Sequence, residues 1–134
     1  MTQYYLDTSI WIDFYEKRGH NGELAFQFLS KVLRGNNSIF YSDLVIVELK
    51  RVGYTQEQVL DIFRIAKPYF LRRLHIYPEQ IDEARLLMQS RNIPKGDALH
   101  AILARDNNTI LISRDNDFKK LKDITKVHFP EDFI

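Results

Sequence analysis

Carboxylates occupy the positions of this sequence where chemistry is easiest to place. In chains that alternate strands and helices, ligands gather outside the carboxyl ends of the strands, and the residues just past the apolar runs here are acidic. Asp7 ends the run Tyr4-Tyr5-Leu6, Asp115 follows the run Thr109-Ile110-Leu111-Ile112-Ser113, and Asp117 lies in the same turn. Glu48 belongs to a helix that Ser42 could cap, and its Cα lies about 9 Å along the axis at ~1.5 Å per residue. Helical side chains lean toward the N-terminus, so a glutamate there reaches back toward the strand ends. Glu48 also falls on or beside the apolar stripe of Leu44, Val45 and Leu49, where a charge needs compensation. Asp97 follows Gly96 at the start of another helix, where the helix N-terminus favours an anion. Four or five such groups meeting in one cleft would repel by several kcal/mol per pair at an effective dielectric of ~20, so the arrangement makes sense with cations between them. All-oxygen ligation without cysteine favours Mg²⁺ or Mn²⁺ over Zn²⁺. Each residue has an ordinary reading as well: Asp97 as a first-turn helix residue, Asp7 as a cap or Asx turn, Asp115 and Asp117 as solvated turn residues. Glu48 among aliphatics fits an ordinary reading least well.

The elements that must position these groups are legible from periodicity and punctuation. Tyr4-Tyr5-Leu6 reads as a strand, and Thr8-Ser9 offers caps for a helix to about Glu16. Leu24, Ala25, Phe28, Leu29 and Val32 recur at helical spacing before Gly35-Asn36-Asn37. A second strand is predicted at Ser38–Tyr41, then the helix of Glu48, which Gly53 ends. Thr55-Gln56-Glu57-Gln58 resembles a capping box for a helix with Val59, Ile62, Phe63 and Ala66 inward, closed or kinked by Pro68. The alternation of Arg73-Leu74-His75-Ile76-Tyr77 predicts a third strand, and Pro78 opens a helix that turns Ile81, Ala84, Leu87 and Met88 inward. The next helix starts near Gly96-Asp97 and stops at Asn107-Asn108. Thr109–Ser113 is nearly continuous in aliphatic and β-branched residues, as a strand covered on both faces should be. A short helix around Asp117–Leu121 and an edge strand at Lys126–Phe129 complete the chain. The predicted fold class is α/β, a three-layer α/β/α sandwich with a mostly parallel central sheet of four or five strands.

Composition bounds the rest. The 134 residues are 45% hydrophobic and 28% charged, which suits one globular domain over 1–134. With no cysteine, a disulfide scaffold, thiolate zinc and a cysteine nucleophile are excluded. The net charge of +1 does not announce a nucleic-acid binder, so any electrostatic argument must be local. The N-terminal stretch lacks a basic n-region, and Asp7 and Asp13 interrupt its apolar residues. No apolar run approaches the ~20 residues of a membrane span. The expectation is a soluble, cytoplasmic protein without internal repeats.

Taken together, YLDTSIWID, SDLVIVELKR, IPKGDALHAILA and ILISRDNDFKKL, in this order, resemble the PIN-domain ribonucleases, and among them the VapC-type toxins of toxin–antitoxin pairs. The likeness spans nearly the whole chain. By this resemblance Asp7, Glu48, Asp97 and Asp115 match the family's acidic quartet, and Asp117 matches a further acidic position. Whether Asp115 or Asp117 is the closer metal contact stays open. Ser9 and Ser113 match small hydroxyl positions near the metal, where they would hydrogen-bond a carboxylate or a metal-bound water.

The resemblance implies metal-dependent hydrolysis of RNA by water, with Mg²⁺ or Mn²⁺ as cofactor and 5′-phosphate and 3′-hydroxyl ends as products. It also implies a homodimer and a cognate antitoxin whose C-terminal segment lies over the cleft, with the 54–69 region as a contributor to a groove. Adjacency makes Arg114 and Lys95 candidates for RNA phosphate contacts, and Lys50-Arg51, Arg72-Arg73 and Lys119-Lys120 could extend the path. His100 reads as a packing or hydrogen-bonding residue ahead of a general base, and Trp11, Phe14 and Tyr15 as packing residues ahead of base-stacking ones. Alternatives are a housekeeping RNA-processing nuclease and a non-catalytic PIN-like binding domain. A phosphorylated receiver domain is disfavoured, because its third strand should end in Asp where this chain has Ile76-Tyr77-Pro78.

Overall fold

The computed structural model describes residues 2–17, 19–64 and 70–134. Its elements in chain order are β1 (Thr2–Leu6), α1 (Thr8–Glu16), α2 (Gly19–Arg34), β2 (Asn37–Ser42), α3 (Asp43–Val52), α4 (Gln56–Arg64), β3 (Leu71–Leu74), α5 (Pro78–Arg91), α6 (Lys95–Asp106), β4 (Ile110–Ile112) and β5 (Val127–His128). Two 3₁₀ turns, Asn116–Leu121 and Pro130–Phe133, flank β5. The strands form one sheet in the order β3-β2-β1-β4-β5, and every pairing is parallel.

Side-chain alternation along the strands divides the core in two. Tyr4, Leu6, Ile39 and Ile112 face α1 to α4 and pack with Trp11, Phe28, Leu29, Val45 and Ile62. Tyr5 and Leu111 face the other way and pack with Ala84, Ile102, Phe118 and Leu121 from α5, α6 and the first 3₁₀ turn. The result is an α/β/α sandwich, as predicted. Among the described residues no helix is long and apolar enough to cross a membrane.

Local chemistry explains several boundaries. Asp7 itself, not Thr8 or Ser9, caps α1, accepting the Ile10 amide. Gly53 ends α3 at φ 117°, a conformation that strains any side chain. Thr55 and Gln58 exchange the reciprocal bonds of a capping box at the start of α4. Ala66, Pro68 and Tyr69, assigned to the end of that helix and to a possible groove, lie outside the described residues.

The third strand differs from expectation: the ladder covers Leu71–Leu74, not 73–77. Leu74 and Ile76 both pack on the α5–α6 side, which produced the misleading alternation, but Tyr77 already serves as the N-cap of α5. Trp11 is fully buried, with its ring edge-on to Phe63 at 5.1 Å, so it is a core residue. Phe14 and Tyr15 line a cavity of about 500 Å³ between α1 and α2, at the far end of α1 from Asp7.

Candidate metal centre

The fold places Asp7, Asp115 and Asp117 just past the carboxyl ends of the adjacent inner strands β1 and β4, and leaves Asp97 on α6 and Glu48 on α3. Asp7 leaves β1 with its amide donated to the Ile112 carbonyl, so its backbone continues the β1–β4 ladder. Its side chain is 4% exposed, and three donors hold it: Ser9 Oγ at 2.7 Å and the Ile10 amide at 3.3 Å on Oδ1, and Ser113 Oγ at 2.5 Å on Oδ2. Ser113 Oγ also accepts the Asp115 amide at 3.0 Å, and Asp115 Oδ1 accepts the Asp117 amide at 2.9 Å. The turn after β4 is therefore pinned to Asp7 through one buried hydroxyl. Ser9 and Ser113 both stand as carboxylate donors.

Asp97 enters from α6. One carboxylate oxygen each from Asp97, Asp115 and Asp117 lie within 4.8 Å of one another. Asp97 Oδ2 is buried without a hydrogen-bond partner. Burial pushes the Asp97 carboxyl up to about 8, and the charges of Asp115, Asp7 and Asp117 push the same way. Burial also raises Asp7, against its serine and amide donors. A carboxyl that burial and neighbouring anions hold back from ionising is one that a cation would ionise.

Glu48, on α3, lies outside that group of three. Its Oε1 accepts Thr8 Oγ1 at 2.7 Å and His100 Nε2 at 2.6 Å, and its Oε2 lies where a Cβ on Gly96 would come within 2.8 Å. Glu48 is thus tied to the residue after Asp7 and to the residue before Asp97. Burial works to raise its pKa, but the bonds from His100 and Thr8, with Arg51 nearby, bring it below the ordinary glutamate value. Among the described residues the group whose carboxylate oxygens meet is Asp97, Asp115 and Asp117; Asp7 and Glu48 are not part of it, although the Asp7 charge acts on Asp97. An all-carboxylate donor set with an orphaned buried oxygen fits a hard divalent cation.

The basic candidates have distinct environments. Lys95 lies at a cavity of about 410 Å³ bounded by Glu48, Arg51, Gly96, Leu44, Ile81 and Leu99, beside the acidic group. Arg114 donates both terminal nitrogens to Glu131, at 3.0 and 2.6 Å, and lies 5.7 Å from the Phe129 ring centre. Its guanidinium would have to leave that ion pair to meet a phosphate. Thr8, Tyr5, Ser42 and Gly96 were missed by sequence reasoning. Only Thr8, next to Asp7 in LDTS, carried a local signal; the others act across the fold.

The backbone is similar to solved structures of low sequence identity. VapBC2 from Rickettsia felis, solved with a fragment of promoter DNA, aligns at TM-score 0.71 and 20% identity, covering 96% of this chain and 98% of that one. VapBC-1 from nontypeable Haemophilus influenzae aligns at TM-score 0.69 and 16% identity over 97% and 99%. FitAcB from Neisseria gonorrhoeae aligns at TM-score 0.60 and 15% identity over 95% and 97%. No curated protein sequence matches the chain. The family model described as PIN domain matches residues 4–124, a span that holds all five carboxylates, and the chain belongs to the PIN domain family.

Proposed function

We propose that the chain is a metal-dependent endoribonuclease and the toxin of a type II toxin–antitoxin pair. The observation that carries this reading is the buried, unpartnered Asp97 oxygen within a group of three carboxylates. Asp7, Glu48, Asp97, Asp115 and Asp117 would hold Mg²⁺ or Mn²⁺. Bound there, the ion supplies Lewis acidity that activates water and stabilises charge on the phosphoryl group in flight.

The chain's own residues do the rest. Ser9 and Ser113 fix both oxygens of Asp7, so the anion at the base of the cleft presents one geometry. Lys95 and Arg51, at the neighbouring cavity, provide positive charge where an RNA backbone would approach. Water as the nucleophile predicts 5′-phosphate and 3′-hydroxyl ends.

Similarity of the fold to the VapBC and FitAcB proteins supports an antitoxin partner, and the family resemblance of the sequence adds a homodimer acting in the cytoplasm. The test is incubation of purified protein with RNA in Mg²⁺, in Mn²⁺ and in EDTA, with end-group analysis of the products. Internal cleavage that EDTA stops supports the reading, and intact RNA with both metals overturns it. Co-purification with the product of an adjacent gene supports the toxin assignment, and a freely expressed, non-toxic, partnerless chain overturns it.

A further inference from the structure

Glu48 is held from three sides, and the groups that hold it lie on elements far apart in the chain. His100 is 1% exposed, the one ionisable side chain in the buried run 98–104 of α6. Both its ring nitrogens are engaged: Nδ1 with Tyr5 Oη at 2.8 Å and Nε2 with Glu48 Oε1 at 2.6 Å. An ionised carboxylate only accepts, so Nε2 carries a proton and donates it to Glu48. Tyr5 is fully buried, and its hydroxyl also meets Ser42 Oγ at 2.7 Å. The ring cannot turn without breaking the Tyr5 bond, so the donor toward Glu48 has one direction.

Thr8 places a second donor on the same oxygen, Oε1. Oε2 takes no hydrogen bond among the described residues and fills the space that Gly96 leaves open. Gly96 does not adopt a positive φ, so its backbone conformation does not call for glycine. Glycine is also a poorer helix former than alanine. Room for Glu48 supplies the reason for it.

We propose that His100, fixed by Tyr5, is the positioning residue of Glu48, and that Gly96 leaves the gap in which the free Glu48 oxygen is kept available as a metal donor. The proposal rests on the metal-dependent reading above. Unrestrained, a glutamate side chain samples several rotamers, and ordering it on metal binding opposes affinity. With Oε1 already occupied by two donors, that ordering is complete before the ion arrives.

The test is Mn²⁺ affinity, measured by titration calorimetry on the whole chain without RNA. Partners that orient metal ligands are worth about 10–100-fold in affinity. His100→Leu and Gly96→Ala should each weaken Mn²⁺ by that factor. Tyr5→Phe, which frees the ring but keeps the donor, should weaken it less. His100→Gln, which restores an N–H donor, should recover most of the loss, a rescue that a packing role would not produce. In the wild-type protein the His100 Nε2 proton should give a slowly exchanging nitrogen-edited NMR signal that Tyr5→Phe broadens. Wild-type affinity in Gly96→Ala and in a folded His100→Leu overturns the proposal alone. If His100→Leu fails to fold, Gly96→Ala and the Tyr5→Phe signal decide it. A wild-type chain that binds no Mn²⁺ overturns the metal-centre reading and this proposal with it.

Discussion

The two ends of helix α6 treat negative charge in opposite ways. At its C-terminal end the Arg105 guanidinium donates to both oxygens of Glu83, at 2.7 and 2.8 Å, and to Asp106 at 2.8 Å, while Gln80 donates to the other Asp106 oxygen at 2.9 Å. The Arg105 bonds hold Glu83 and Asp106 below the ordinary carboxylate range. Some 14 Å away at ~1.5 Å per residue, burial and neighbouring anions push Asp97 up to about 8, and one of its oxygens has no partner. The favourable helix dipole at that end is not enough to offset three nearby carboxylates. The same helix therefore carries one acidic group neutralised by the protein and one left for a cation from outside.

The largest expected effect breaks the uncompensated end. Asp97→Asn should lower Mg²⁺-dependent RNA cleavage by at least roughly a hundredfold. In EDTA its melting temperature should equal or exceed that of the wild type, because the substitution relieves repulsion. A gel assay and a thermal melt read both, and a large fall in melting temperature would return Asp97 to a capping role.

Metal addition comes next. A divalent ion at a hundred times its dissociation constant stabilises the native state by about 2.7 kcal/mol, on the order of 10 °C in melting temperature for a chain of this size. Differential scanning calorimetry should show this shift with Mg²⁺ or Mn²⁺, greatly reduced in Asp97→Asn and absent with Na⁺ at equal ionic strength.

A smaller effect separates the two ends by pH. The folded Asp97 carboxyl has its pKa raised from 3.8 to about 8, so the unfolded chain ionises first. Without metal, stability associated with Asp97 should fall as pH rises from about 4 to about 8. Glu83 and Asp106 have lowered values, so their contribution is present above the ordinary carboxylate range and is lost on acidification. Melting temperature against pH in EDTA should decline between about pH 4 and about pH 8 in the wild type and flatten over that range in Asp97→Asn.

The smallest effect tests the compensated end. Arg105 and Glu83 side chains are 35% and 38% exposed, so Glu83→Gln should cost no more than about 1 kcal/mol and leave cleavage unchanged. A large loss of cleavage would show that the two ends communicate.

Most of the framework was legible because local chemistry and tertiary position agree. β1 and α1 follow from an apolar run broken by Asp7, and β4 from an aliphatic run that is buried on both faces. β3 was displaced because its exposed Arg72 and Arg73 hide a ladder on one edge of the sheet, while Ile76 packs inward beyond it. In the candidate site the carboxylates announced themselves by type and place after strands. Their supports did not, because Tyr5 and His100 are 95 residues apart and meet only when β1 lies under α6. Nor could adjacency to Asp115 reveal that Arg114 is engaged by Glu131 near the chain end.

β1 has a neighbour on each side, β2 and β4, and it delivers Asp7 near the cluster, close enough for its charge to act on Asp97. Segments bonded on both edges and covered on both faces are the last to open, so the amides of residues 4–7 should exchange with solvent deuterium only through global unfolding. The anionic floor of the cleft is then as rigid as the whole molecule. Under the proposed function, loosening this strand is a poor route to restraint, and a ligand that competes for the carboxylates is a better one.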